Sequence, residues 1–164
     1  MLTLLIALTF CGTMIYAALS DLLFMKISNI ACLFLAAGFI LFAPITGLPL
    51  QTILLHLAVG AVALIVCFGL FFINAMGGGD AKLISATALW AGFSTSLVQY
   101  LLISAIAGGI LTIIILLLRK LINRSKIAHI AFLYRLTDPT IGIPYGIALA
   151  FAGLWIYPQL SIAG

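Results

Sequence analysis

The chain has 164 residues, 66% of them hydrophobic and only 6% charged, with seven Lys or Arg against three Asp or Glu. Soluble domains average about 45–50% apolar and about 25% charged residues, which excludes a water-soluble globule and predicts an all-α polytopic membrane protein, a single domain spanning 1–164. The net charge of +4 lies on no basic face that could follow a duplex, so no nucleic-acid partner is expected; in a membrane chain it marks the cytoplasmic side.

The opening "MLTLLIALTFCGTMIYAALS" lacks a positive n-region, and its apolar run is too long for the h-region of a signal peptide. Bulky Phe10 before Cys11 argues against a lipoprotein. A retained first helix is expected from Leu2 to Ser20. With about 20 apolar residues needed per crossing, five more follow: Ile30 to Pro44, Gln51 to about Asn74, Asp80 to Gly92, Thr95 to Leu118 and Thr140 to Tyr157. The fourth is short, and continues towards Gln99 or ends in a packed region. Gly108-Gly109 and Ala36-Ala37-Gly38 offer small faces for close helix packing.

Six crossings leave five alternating loops. The first, third and fifth carry all ten charged residues, among them Asp21, Lys26, Asp80, Lys82, Arg119 and Asp138. The second and fourth, "APITGLPL" and "GFSTS", carry none. The positive-inside rule then makes the charged side cytoplasmic and puts both termini outside. The long fifth loop, "RKLINRSKIAHIAFLYRLTDP", mixes basic and apolar residues, as an interfacial stretch on anionic lipid or a plain stop-transfer loop would.

Cys11, Cys32 and Cys67 are isolated in apolar runs without metal-ligand spacing and read as buried small hydrophobes. No metal or cofactor is expected. His56 reads as a hydrogen-bonded packing residue, and His129 as an interfacial one.

Asp80 opens a helix after "GGG", where a capping role suits it. Lys82 fits an interfacial anchor. Asp21 is harder to assign a structural role, because it follows an apolar helix at the end where the dipole disfavours negative charge. The topology brings these two carboxylates, 59 residues apart in sequence, to one membrane face. Two carboxylates in one site cannot both ionise easily; one holds a proton while the other takes one from water. That is the chemistry of peptide hydrolysis without a covalent intermediate. Gly77, Gly78 and Gly79 are expected to adopt unusual backbone angles or admit another backbone closely, although a simple hinge would use them too.

These residues resemble those of the type IV prepilin peptidases, a family of intramembrane aspartic proteases. "GGGDAKL" is similar to the GxGD-x-K-L signature. "DLLFMKISN" resembles the first aspartate motif, with Lys26, Ile27 and Asn29 in place and Ser28 where proline is usual. "IPYGIALAFAG" resembles the closing helix of the small tight-adherence (Tad/CpaA-type) branch. The resemblance implies that Asp21 and Asp80 are catalytic, that Gly77 and Gly79 shape the site beside Gly78 and Lys82, and that Lys26 and Asn29 support substrate or structure. It implies prepilin or pseudopilin substrates, Flp-type in this branch, with a short basic leader ahead of a hydrophobic helix. It further implies an enzyme of the bacterial cytoplasmic membrane working at the cytoplasmic face. The CxxC motifs of larger members are missing, so zinc and the methyltransferase activity are not expected. Competing readings are a proton-coupled carrier or channel subunit and a non-catalytic pilus-assembly factor.

Overall fold

The computed structural model describes residues 1–122 and 131–162. Its elements in chain order are α1 (Leu2–Phe24), α2 (Asn29–Ile45), α3 (Leu50–Phe72), α4 (Gly78–Ala91), α5 (Thr95–Leu121), α6 (Ala131–Leu136), α7 (Gly146–Ile156) and a 3-10 turn at Tyr157–Gln159. Among the described residues there is no strand. Three helices, α1, α3 and α5, are long and apolar enough to cross a membrane, and α2 is a shorter apolar helix. Their outer faces carry Leu, Ile, Val and Phe in the open, for example Leu4, Ile15, Ile65 and Ile113. Apolar exposure on this scale needs lipid around it.

The two short helices are central. α4 packs against α3 and α2, while α7 packs against α5 and α1 and also touches α4. Nine of the fourteen residues of α4 are buried, and α7 buries Gly146, Ala148, Leu149, Ala150, Ala152, Gly153 and Ile156. Small residues allow this, because helices in an apolar solvent associate by close van der Waals contact rather than by expelling water. A methyl on Gly60 of α3 would strike the Leu89 side chain of α4. At Gly38, a methyl would stand 2.7 Å from Thr9 and 3.3 Å from the Trp90 ring. Gly108 admits the Tyr145 ring, whereas Gly109 faces open space.

Most buried polar groups in this core are satisfied, as a low-dielectric interior requires; the Tyr100 hydroxyl and the Gln99 Oε1 are the exceptions among the described residues. Trp90 donates its indole N–H to the Leu35 carbonyl at 2.9 Å. Ser85 and Thr87 bond back to Ala81 and Leu83 within α4. His56 bonds the Leu89 carbonyl through Nδ1 at 2.6 Å and stacks on Phe39. That carbonyl belongs to the last turn of α4, where helical partners run out, so His56 caps α4 from α3. Gly92 closes α4 at φ +62° directly under the imidazole. A side chain there would meet both backbone strain and the ring.

Several element boundaries differ from expectation. α1 continues past Ser20 to Phe24, where Met25 turns left-handed at φ 54° and bonds back to the Asp21 carbonyl. Asp21 is therefore inside the last turns of the helix rather than after it. α4 starts two residues earlier than expected, while its end at Gly92, in a packed region, is the expected one and the extension towards Gln99 is absent. The last helix starts at Gly146, not Thr140, because Gly142 and Pro144 interrupt it and residues 141–145 form an irregular approach. The fifth loop contains the short helix α6, and Arg119 and Arg135 donate to backbone carbonyls. Arg124, Lys126 and His129 lie outside the described residues.

Candidate active site

The site grows from three helix ends that meet at one end of the bundle. The first is the end of α1. Asp21 sits one turn before Phe24, and the chain then folds back sharply, held by a bond from the Ser20 hydroxyl to the Lys26 carbonyl at 2.7 Å. Ser28 restarts the helical path. Its hydroxyl accepts the Ile30 amide at 3.2 Å as the N-cap of α2, a role serine performs well. This gives a local reason for serine at that place in the motif.

The second is the start of α4. α3 ends at Phe72, and Asn74 takes a left-handed conformation at φ 57°, which asparagine tolerates better than most residues. Gly77 is the N-cap of α4, so Asp80 is its third helical residue rather than its cap. The Asp80 carboxylate turns back to the Gly77 backbone amide, the acidic half of a capping box. The three glycines do not use backbone angles closed to other residues. Gly77 is extended at φ −71°, and Gly78 and Gly79 begin the helix. They serve close approach instead. A methyl on Gly79 would lie 3.1 Å from the Ile27 Cβ, and one on Gly78 3.3 Å from the Phe71 ring.

The third is the start of α7. The Gly146 amide donates to the Asp21 Oδ2 at 2.6 Å, a buried bond across 125 residues of sequence. Asp21 is only 6% exposed. At the end of α1 the helix dipole opposes its negative charge, while the amino end of α7 favours it. Tyr145 precedes Gly146; its ring lies on Gly108 and its hydroxyl pairs with Thr112 at 3.1 Å, which fixes where α7 begins. Neither Tyr145 nor Gly146 stood out as a site residue in the sequence. The only hint was their place within "IPYGIALAFAG".

Asp21 and Asp80 line one cleft of about 330 Å³ together with Lys26, Ile27, Gly77, Gly78, Gly79 and Ile143. The two carboxylates expected to act together thus line the same cleft, with the glycine run as one wall. Lys82 and Asn29 are elsewhere. They bond to each other, Nζ to Oδ1 at 2.8 Å, and line a separate groove between α2, α3 and α4. Their contact ties the start of α4 to the start of α2. Among the described residues no three His, Cys, Asp or Glu side chains converge in a way that would hold a metal ion.

No curated protein and no solved structure gives a significant match. A sequence profile described as the type IV leader peptidase family matches residues 8–117, a stretch that contains both aspartates and the glycine run but not α7. That match covers about two thirds of the chain, and the chain, a multi-pass helical membrane protein, belongs to the type IV leader peptidase family.

Proposed function

We propose that the protein is an aspartic endopeptidase that removes the short basic leader of prepilins or pseudopilins, Flp-type in the tight-adherence branch, with Asp21 and Asp80 as the catalytic pair. One observation carries this proposal above the rest: two acids remote in sequence line a single cleft at one end of the helix bundle.

In that cleft one carboxyl is protonated and the other ionised, since two charges so placed repel. The ionised group takes a proton from water as the water oxygen attacks the scissile carbonyl. The protonated group gives its proton to the carbonyl oxygen. The resulting tetrahedral diol collapses as the C–N bond breaks: one of its hydroxyls returns its proton to the ionised carboxylate as the carbonyl re-forms, while the protonated carboxyl gives its proton to the departing nitrogen. Water is the only co-reactant, and the proton count returns to its starting point.

Orientation follows from charge. With α1, α2, α3, α4, α5 and α7 taken as six crossings, every Lys and Arg in the sequence falls on the side of the cleft, so that side is cytoplasmic and both termini are outside. A basic leader retained in the cytoplasm and an apolar segment in the bilayer would then meet at the depth of the aspartates. Lys26 on the rim would contact the substrate backbone there. A proton carrier is disfavoured, because its acids belong near the midplane of the bilayer rather than at one end of a bundle.

The test is co-expression with a candidate prepilin. Asp21→Asn and Asp80→Asn should each leave the precursor uncleaved while the protein accumulates normally. Normal cleavage by either variant would overturn the dyad mechanism.

A further inference from the structure

Two apolar grooves run beside α4. The first has a volume of about 470 Å³ between α2 and α3, with Ala36, Gly60, Leu64 and Leu89 on its walls and the Lys82–Asn29 pair at one end. The second has a volume of about 540 Å³ and opens between α4 and α5, two consecutive helices that scarcely touch. Its walls include Ile84, Leu101, Ala105, Tyr145 and Leu149, and it reaches Asp80. Both volumes fall within the range of about 300–1,000 Å³ typical of ligand sites, so size does not choose between them.

Continuity does. The α4–α5 groove shares Gly77, Asp80 and Ile143 with the small cleft that holds both aspartates. The α2–α3 groove shares no residue with that cleft. The two connected spaces also differ in character. The small cleft presents Asp21, Lys26 and the backbone of the glycine run. In the larger groove, Ser104 spends its hydroxyl on the Tyr100 carbonyl at 2.6 Å, and leucine, isoleucine and alanine together with Met76 and Tyr145 make up most of the wall. Asp80 stands where polar space passes into apolar space. A substrate with a charged leader joined to an apolar segment changes character at the same place along its chain.

We propose that the groove between α4 and α5 is the lateral entry and binding site for the first residues of the substrate's apolar segment, those just after the scissile bond. The leader side occupies the small cleft. Leu101 and Ala105, one helical turn apart on the exposed face of α5, are the selecting wall, and the small Ala105 side chain leaves room for a bulky apolar group. This proposal rests on the peptidase function, and its test is built to fail separately.

The test uses an Asp80→Asn protein whose Cys11, Cys32 and Cys67 are replaced by alanine, so that substrate binds without turnover. Leu101→Cys or Ala105→Cys is introduced in one groove, and Leu64→Cys in the other. A prepilin with one cysteine stepped along residues on either side of the scissile bond is oxidised with each in membranes. A disulfide needs Cβ atoms about 3.5–4.5 Å apart, so its formation reports direct neighbours. Residues just after the scissile bond should pair with Leu101→Cys or Ala105→Cys, at least about fivefold above Leu64→Cys. Pairing at Leu64→Cys, or at neither groove, overturns the proposal. In otherwise unaltered protein, Ala105→Phe should slow cleavage about tenfold, mainly through a higher KM, while Leu64→Phe stays within about twofold. If unaltered protein cleaves and Asp80→Asn does not, the peptidase function stands whichever groove the crosslinks choose.

Discussion

The Gly146 amide and the Asp21 carboxylate, 2.6 Å apart, join the start of the last helix to the end of the first. The pairing tolerates no side chain at 146. A methyl there would stand 2.8 Å from the Asp21 Oδ2, 2.9 Å from its Cβ and 3.0 Å from the Ile27 Cδ1. Asp21 is short and buried, so it has nowhere to swing. Gly146→Ala should therefore displace the carboxylate by a fraction of an ångström and lower prepilin cleavage about 10- to 100-fold, in line with the cost of small misplacements in active sites. The purified variant should keep its thermal midpoint within a few degrees. A cleavage rate equal to that of the unaltered protein would show that Asp21 has no need of α7.

The glycine run makes a sharper prediction because its members differ. Alanine is favoured over glycine by about 1 kcal/mol within a helix, and Gly78 and Gly79 are both helical. At Gly78 the obstacle is the far edge of the Phe71 ring at 3.3 Å, and Phe71 is exposed enough to move. At Gly79 it is the Cβ and backbone nitrogen of Ile27, at 3.1 and 3.6 Å, in the turn that lines the cleft. Gly78→Ala should be neutral or mildly stabilising. Gly79→Ala should cut cleavage several-fold by pushing α4 from that turn. Equal activity of the two variants, measured side by side, would count against close packing as the reason for glycine at 79.

Lys82 and Asn29 bond at 2.8 Å away from the aspartates, so their role should be mechanical. A double-mutant cycle with Lys82→Met and Asn29→Ala, read by thermal unfolding in detergent, should give a coupling of about 1 kcal/mol, ordinary for a partly exposed hydrogen bond. Cleavage should fall by less than about fivefold in each variant. A loss as complete as that of Asp80→Asn would instead place Lys82 in the chemistry.

Much of this arrangement was legible before the fold was known, and the reasons are physical. Apolar length and charge placement follow from the bilayer itself, so the helix order and the face shared by Asp21 and Asp80 could be read directly. Other features depend on partners remote in the chain. Nothing near Gly146 in sequence announces that its amide faces Asp21. The glycines of residues 77–79 suggested unusual backbone angles, but their neighbours, Ile27 and Phe71, supply the actual constraint. Lys82 follows Asp80 by two residues, and a helix turns about 100° per residue, so the two side chains diverge into different grooves. α7 was expected as an ordinary crossing from Thr140, and the shortness of α4, visible in the sequence, makes sense only once the longer helices are seen around it.

Arg119 carries the last prediction. At the end of α5 its Nε donates to the Leu136 carbonyl at 3.0 Å, and Nη2 to the carbonyls of Ile141 and Gly142 at 2.8 and 3.2 Å. The last two carbonyls lie just before Ile143, which lines both the small cleft and the α4–α5 groove, and before Gly146. A planar guanidinium can hold divergent acceptors in a fixed fork, whereas a lysine ammonium is a compact point charge on a flexible stem. Arg119→Lys should thus keep part of the clamp and lower cleavage a few-fold. Arg119→Met removes every donor, and hydrogen bonds from a charged group are worth about 1.5–3 kcal/mol. It should slow cleavage about tenfold and make residues 136–142 more susceptible to added protease, with the rest of the chain unchanged. Equal protection of that segment in all three proteins would mean that the clamp does not hold the approach to α7.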